Sequence, residues 1–183
     1  MPTAGGGGER EVSAEHALSK NELLEALRAS RDEVVQIVRA IPPDRLEEGR
    51  YESGWNGRQI LAHVASIEWT YPRLLDIARD AADAPSATAP GGEPTRTMRG
   101  GNDAYNERQV AKRAHLSAAE LLQEFENNRA ATIRAVEAAD EGLFTRRIRS
   151  AGGVVGSLAS VFYQVAVAHV LGHARDIAET RER

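Results

Sequence analysis

An all-α four-helix bundle is the fold predicted by this sequence of 183 residues, and three observations predict it. Apolar residues recur at three- and four-residue spacings along four segments of about 20 to 25 residues, the period of one helix face. No segment shows a convincing strand alternation. Several helix starts are written as capping boxes, a side-chain acceptor followed three positions later by Glu or Gln.

The first helix starts at the capping box "SKNE", with Ser19 as cap and Glu22 reaching back. It carries Leu23, Leu24, Leu27, Val34, Ile37 and Val38 on one face and stops at Pro42 and Pro43. The second opens in "GWNGRQILAHVASIEW", with Asn56 as cap, Gln59 at the third helical position and Trp55 placed to staple onto Ile60. Its stripe of Ile60, Val64, Ile67, Leu74 and Leu75 runs on to about Arg79, with a bend at Pro72, and His63 falls on the same inward face. Residues 80–101, rich in Ala, Pro, Gly and Thr, have no period and read as a long connection. A third helical stretch starts near Asn102 and restarts at Ser117, which boxes with Glu120 ahead of Leu121, Leu122, Phe125, Ile133 and Val136. The last helix starts near Ser157 and is expected to hold Leu158, Val161, Val165, His169, His173 and Ile177 on roughly one face.

Helices of this length span about 30 to 37 Å, and a 22-residue connection crosses that distance with slack. A crossover between helices two and three lets them run parallel, which gives up-down-down-up order. Residues 1–18, with four consecutive glycines, read as a flexible tail; residues 19–180 form the bundle domain.

Composition narrows the function. A charge of −4, from 23 basic and 27 acidic residues, argues against nucleic acid as partner. The basic run Arg146, Arg147 and Arg149 is expected on a solvated helix flank. Ser150 to Ala174 lacks Asp, Glu, Lys and Arg over a length that spans a bilayer, but its Ser, Gln, His, Gly and Ala content fits a buried bundle helix better than a membrane span. The N-terminus has no basic start followed by an apolar run, so a cytoplasmic protein is expected. With no cysteine there is no disulfide and no thiolate nucleophile, so thiol chemistry needs a thiol from solution.

The residues with most chemistry are histidines. "AHVLGHARDI" places His169 and His173 one helical turn apart, close enough for both rings to reach one ion. His63 is a third histidine on an apolar face, and three neutral imidazoles with an open position make a catalytic divalent-metal site. Core histidines bonded to backbone or side-chain oxygens fit the spacing as well. His16 and His115 are expected at the surface, and Glu68, five positions from His63, points off its line. Trp69 and Tyr71 read as core residues.

The run "GWNGRQILAHVASIEW", the middle segment from "NDAYNERQV" to "RAVEAAD" and "AHVLGHARDI" together resemble the DinB/YfiT-like superfamily, in the branch related to mycothiol-dependent maleylpyruvate isomerases. The resemblance covers about residues 19–180 and implies a bacterial four-helix bundle, often a homodimer, with a divalent metal, zinc or nickel, in its interior. The ligands it implies are His63, His169 and His173. In isomerase and thiol-transferase relatives the first ligand on the last helix can be Glu, so His169 does not point specifically to mycothiol chemistry. The resemblance implies a thiol S-transferase or isomerase-type enzyme on a small electrophilic substrate, with a low-molecular-weight thiol as cosubstrate. Hydrolysis by metal-activated water, or a non-catalytic metal-binding stress-response module, are the alternatives. Tyr105 and Asn106 are the expected polar contacts for cofactor or substrate, because "NDAYN" opens a helix and has too few apolar residues to be core.

Overall fold

The computed structural model describes residues 10–11, 18–48, 54–83 and 101–179. The glycine run, His16 and most of the long connection lie outside them. The helices are α1 (Lys20–Arg39), α2 (Gly57–Glu68), α3 (Arg73–Asp83), α4 (Gly101–Lys112), α5 (Ala118–Ala138), α6 (Leu158–Phe162) and α7 (His169–Glu179), with α6 joined to α7 by a π-helical turn over Tyr163–Ala168. All three capping boxes form. Ser19, Asn56 and Ser117 each accept from the backbone three residues on, and Glu22, Gln59 and Glu120 each return a bond.

Leu23, Leu27 and Val34 of α1, Leu61 and Ala65 of α2, Leu121 and Phe125 of α5, and Phe162, Ala166 and Val170 of the last helix meet in one buried core. α1 packs on α5 and on the last helix, and α2 packs on the same two, so α1 and α2 occupy opposite corners. Polar contacts fix the directions. Lys20 at the start of α1 donates to Glu137 O and Ala139 O at the end of α5, at 2.8 and 2.7 Å, while Arg39 at its end pairs with Glu126. Those helices therefore run in opposite senses. Arg58 reaches Leu116 O at 3.2 Å, and Asn128 reaches Ala65 O at 3.3 Å, so α2 and α5 run the same way.

Arg129 of α5 ties the corners together. Fully buried, it bonds both oxygens of the equally buried Glu68 at 2.7 and 2.9 Å, and it donates to Leu27 O, Ser30 Oγ and Ala166 O. A buried guanidinium is tolerated because every one of these bonds compensates lost hydration.

The structure departs from the sequence expectations in three places. The second helix ends at Glu68 and restarts at Arg73 rather than running to Arg79 in one piece. Pro72 has no N–H to continue the ladder, and Thr70 and Tyr71 close a tight turn onto Ile67 O and Glu68 O instead. That turn leaves Tyr71 buried but Trp69 47% exposed, against Arg73, so Trp69 is not core.

A small sheet is also present, in the order β1 (Arg10–Glu11), β3 (Val154–Ser157), β2 (Arg147–Arg149), with β1 parallel and β2 antiparallel to β3. Arg147 and Arg149 thus lie on a strand with Ile148 buried between them, not on a helix flank, and Arg146 donates to Ala78 O. Gly153, at φ +82°, makes the turn between β2 and β3. Ser157 ends β3, paired with Arg147, and is at once the N-cap of α6.

The third departure is the phase of the last helix. Five turns of α-helix take about 18 residues, whereas the buried positions Leu158, Phe162, Ala166, Val170, Ala174 and Ile177 span about 19. The π turn absorbs the extra residue. His169 is consequently exposed and His173 half-buried, at the edge of the stripe rather than on it. Among the described residues no helix is long and apolar enough to cross a membrane.

Candidate metal centre

His63 is held in the middle of α2, buried, with its own carbonyl accepting from Ser66 Oγ at 2.7 Å. His169 and His173 come from the first turn and a half of α7. The three rings form a triangle, with centroids 5.8 Å apart for His63 and His169, 5.0 Å for His63 and His173, and 4.5 Å for His169 and His173. One ligand atom from each lies within 4.8 Å of the others, and the two Nε2 atoms of α7 face each other at 3.0 Å. A tetrahedral ion with bonds of about 2.0 to 2.1 Å separates its ligand nitrogens by about 3.3 Å, inside that range.

The unpaired atoms give an independent test of fit. His63 Nδ1 and His173 Nδ1 are buried without a hydrogen bond. His173 Nδ1 lies 3.4 Å from Asp176 Oδ2, off hydrogen-bond alignment, and a proton on that nitrogen suits the carboxylate. The Nε2 lone pair of His173 then faces His169 Nε2 at 3.0 Å, an arrangement that a shared cation satisfies, as does a ring-to-ring hydrogen bond when His169 carries its proton on Nε2.

Electrostatics favour the neutral rings a metal requires. Burial first, then the charges of His173 and His169, depress His63 to about 3. Burial and then His173 lower His169 to about 4, partly opposed by a backbone bond to Val165. His169 keeps one side open to solvent, yet its ring is crowded by two others, and it is the ring that loses hydration. Burial lowers His173 too, with Asp176 pulling the other way. Neutral imidazoles at physiological pH present lone pairs rather than protons.

Around the triangle, Trp55 packs on His63 with ring centroids 5.3 Å apart and donates from Nε1 to Glu107 of α4 at 2.9 Å. Tyr105 and Asn106 sit on α4 beside Glu107, half-buried, and no hydrogen bond joins them to the histidine rings among the described residues. Glu68 is engaged by Arg129 and is no fourth ligand. His115 is exposed in the turn between α4 and α5. A groove of about 440 Å³ on α5, lined by Leu116, Glu120, Gln123, Glu124, Asn127 and Asn128, shares no residue with the cluster. Sequence reasoning did not single out Asp176, Glu107 or Arg129. Only Asp176 had a visible signal there, its position three residues after His173 on the same helix.

A helical bundle that turns three neutral histidines from two helices onto one point defines a scaffold able to hold a divalent ion. Residues 26–177 match the family described as the DinB superfamily, and the chain belongs to it. Among solved structures, the mycothiol-dependent maleylpyruvate isomerase is similar with a TM-score of 0.67 at 17% identity, over 91% of this chain and 63% of that one. This chain therefore spans less than two thirds of the isomerase. YfiT from Bacillus subtilis, described as a probable metal-dependent hydrolase with an unusual four-helix bundle topology, is similar with a TM-score of 0.66 at 17% identity, over 94% of this chain and 93% of its own. An uncharacterised protein from Escherichia coli UTI89 follows with 0.58 at 16%, over 90% and 95%. At these identities the likeness establishes the fold. No curated protein matches the chain.

Proposed function

We propose that the chain holds one divalent cation, zinc or nickel, between His63, His169 and His173, and catalyses thiol S-transfer or isomerisation on a small electrophile with a low-molecular-weight thiol as cosubstrate. The observation that carries the metal reading is the convergence of three ring nitrogens from two helices, two of them facing at 3.0 Å. When bound, the cation supplies Lewis acidity that lowers the pKa of a small thiol or of water. The chain's own residues do the rest. His63 anchors the site from the buried side, and the exposed edge of His169 leaves the approach for substrate. Asp176 orients His173 through Nδ1, and Trp55 walls the centre on the His63 side. Tyr105 and Asn106, on the helix that Trp55 grips through Glu107, supply polar contacts to the thiol or substrate. The chain has no cysteine, so the nucleophile comes from solution. In this reading residues 19–180 work as one domain, in the cytoplasm and as a homodimer, the exposed Trp69 and Ile77 offering apolar area to a second copy.

A second reading, hydrolysis, is supported by the likeness to YfiT, which is described as a probable metal-dependent hydrolase. Metal analysis of purified protein and of the double variant His169→Ala/His173→Ala tests the centre; stoichiometric metal in the variant refutes it. Turnover of an electrophile panel by metal-loaded protein then separates the chemistries. Transfer requires added bacillithiol, mycothiol or glutathione, hydrolysis proceeds without thiol, and absence of turnover with either leaves a non-catalytic metal-binding module.

A further inference from the structure

The π turn between α6 and α7 directly precedes two of the three histidines. Across it the His169 N–H bonds Gln164 O, five residues back, instead of Val165 O, the partner an α-helix would give it. Side chains take up the carbonyls at this point, two of them from elsewhere in the fold, with the His169 ring also bonding the Val165 backbone. Tyr71, from the turn between α2 and α3, donates from Oη to Val165 O at 2.6 Å, and Arg129 of α5 donates to Ala166 O at 2.6 Å. Tyr71 is buried, and its hydroxyl has this one role among the described hydrogen bonds. The helix could otherwise relax toward uniform α geometry, one residue fewer over the same rise, and turn the α7 side chains by about 100° relative to α2. We propose that Tyr71 is a positioning residue of the metal centre: by holding the Val165 carbonyl it keeps the π turn, and the π turn sets His169 and His173 in phase with His63.

This inference rests on the metal reading above, and its test keeps the two apart. Tyr71→Phe removes one hydroxyl and leaves the ring in place. Ser30→Ala removes a different buried hydroxyl, which accepts from Arg129 at 2.7 Å, donates to Leu27 O and makes no described hydrogen bond to the π turn. Zinc alone is titrated into each metal-free full-length protein in competition with a chelating dye, alongside unfolding of the metal-free forms. Tyr71→Phe is expected to weaken zinc binding by about 10- to 100-fold, the usual effect of losing an outer hydrogen bond at a metal site, and Ser30→Ala to leave affinity unchanged although both lose stability. Equal losses of affinity in the two variants, or none in Tyr71→Phe, overturn the proposal. Amide hydrogen exchange at His169 in metal-free protein reads the turn without any metal, and it is expected to speed up in Tyr71→Phe only. If the wild-type protein takes up no zinc, the metal reading fails, and unchanged exchange in Tyr71→Phe separately refutes the role of Tyr71 in the turn.

Discussion

Arg129→Met would cut a residue that bonds into every corner of the bundle. The variant keeps the unbranched stem and deletes the guanidinium, leaving the Glu68 carboxylate fully buried and the carbonyls of Leu27 and Ala166 without that donor. Breaking a buried ion pair by removing one partner costs about 3 to 5 kcal/mol. At about 2 to 4 °C per kcal/mol for a domain of this size, the expected fall in Tm is about 6 to 20 °C. The loss should also depend on pH. Burial pushes the Glu68 carboxyl above the usual carboxylate range, and Arg129 pulls it back. Without Arg129 the upward push stands nearly alone, so the folded pKa lies above the unfolded one and the fold favours the protonated acid. The penalty is then complete above the folded pKa and is relieved as pH falls toward the unfolded value near ~4.3. Urea unfolding of wild type and variant at pH 8 and pH 5 measures both effects, and Glu68→Gln/Arg129→Met should recover part of the loss. A destabilisation under about 1 kcal/mol at pH 8, or a deficit that grows in acid, would refute the reasoning.

Three smaller perturbations follow from single features. Ser117→Ala removes the α5 cap, and urea unfolding should show a loss of about 1 kcal/mol. Gly153→Ala puts a Cβ at φ +82° where nothing lies within 4 Å, so the cost is backbone strain alone, about 1 to 2 kcal/mol; Gly142→Ala, equally open and without a positive φ, should be near neutral. Trp55 lies 5.3 Å from His63 while Trp69 is exposed beside Arg73, so fluorescence quenching by added nickel should vanish in Trp55→Phe and persist in Trp69→Phe. The reverse result would place the metal elsewhere.

Features encoded within one helical turn were legible in the sequence. The three capping boxes are local hydrogen-bond patterns, and each forms as read. His169 and His173 are neighbours by helical geometry alone, whereas their meeting with His63 depends on packing between α2 and α7 and could be named beforehand only through family resemblance. The π turn was hidden because the four-residue spacings from Val161 to Ile177 look like a face, although each such step drifts about 40° on an α-helix. The strands were hidden by their shortness. Arg147, Ile148 and Arg149 do alternate, but three residues carry too little period to outweigh a helical neighbourhood. Arg129 reads as an ordinary polar position on α5, and only the partners brought in from α1, α2 and the π turn explain its burial.

Ser157 is shared by the sheet and the last helix, with no linker between them. This limits where the chain can change length over evolution. A residue added between Ser157 and His169 has no loop to absorb it and would rotate everything beyond by about 100°, carrying both α7 histidines away from His63. A residue added in the turn at 151–153 only lengthens a hairpin tip, where insertions are tolerated. Related sequences are therefore expected to vary in the hairpin while keeping a constant count from the strand-end cap to the paired histidines, and that interval is a stricter mark of shared function than overall identity.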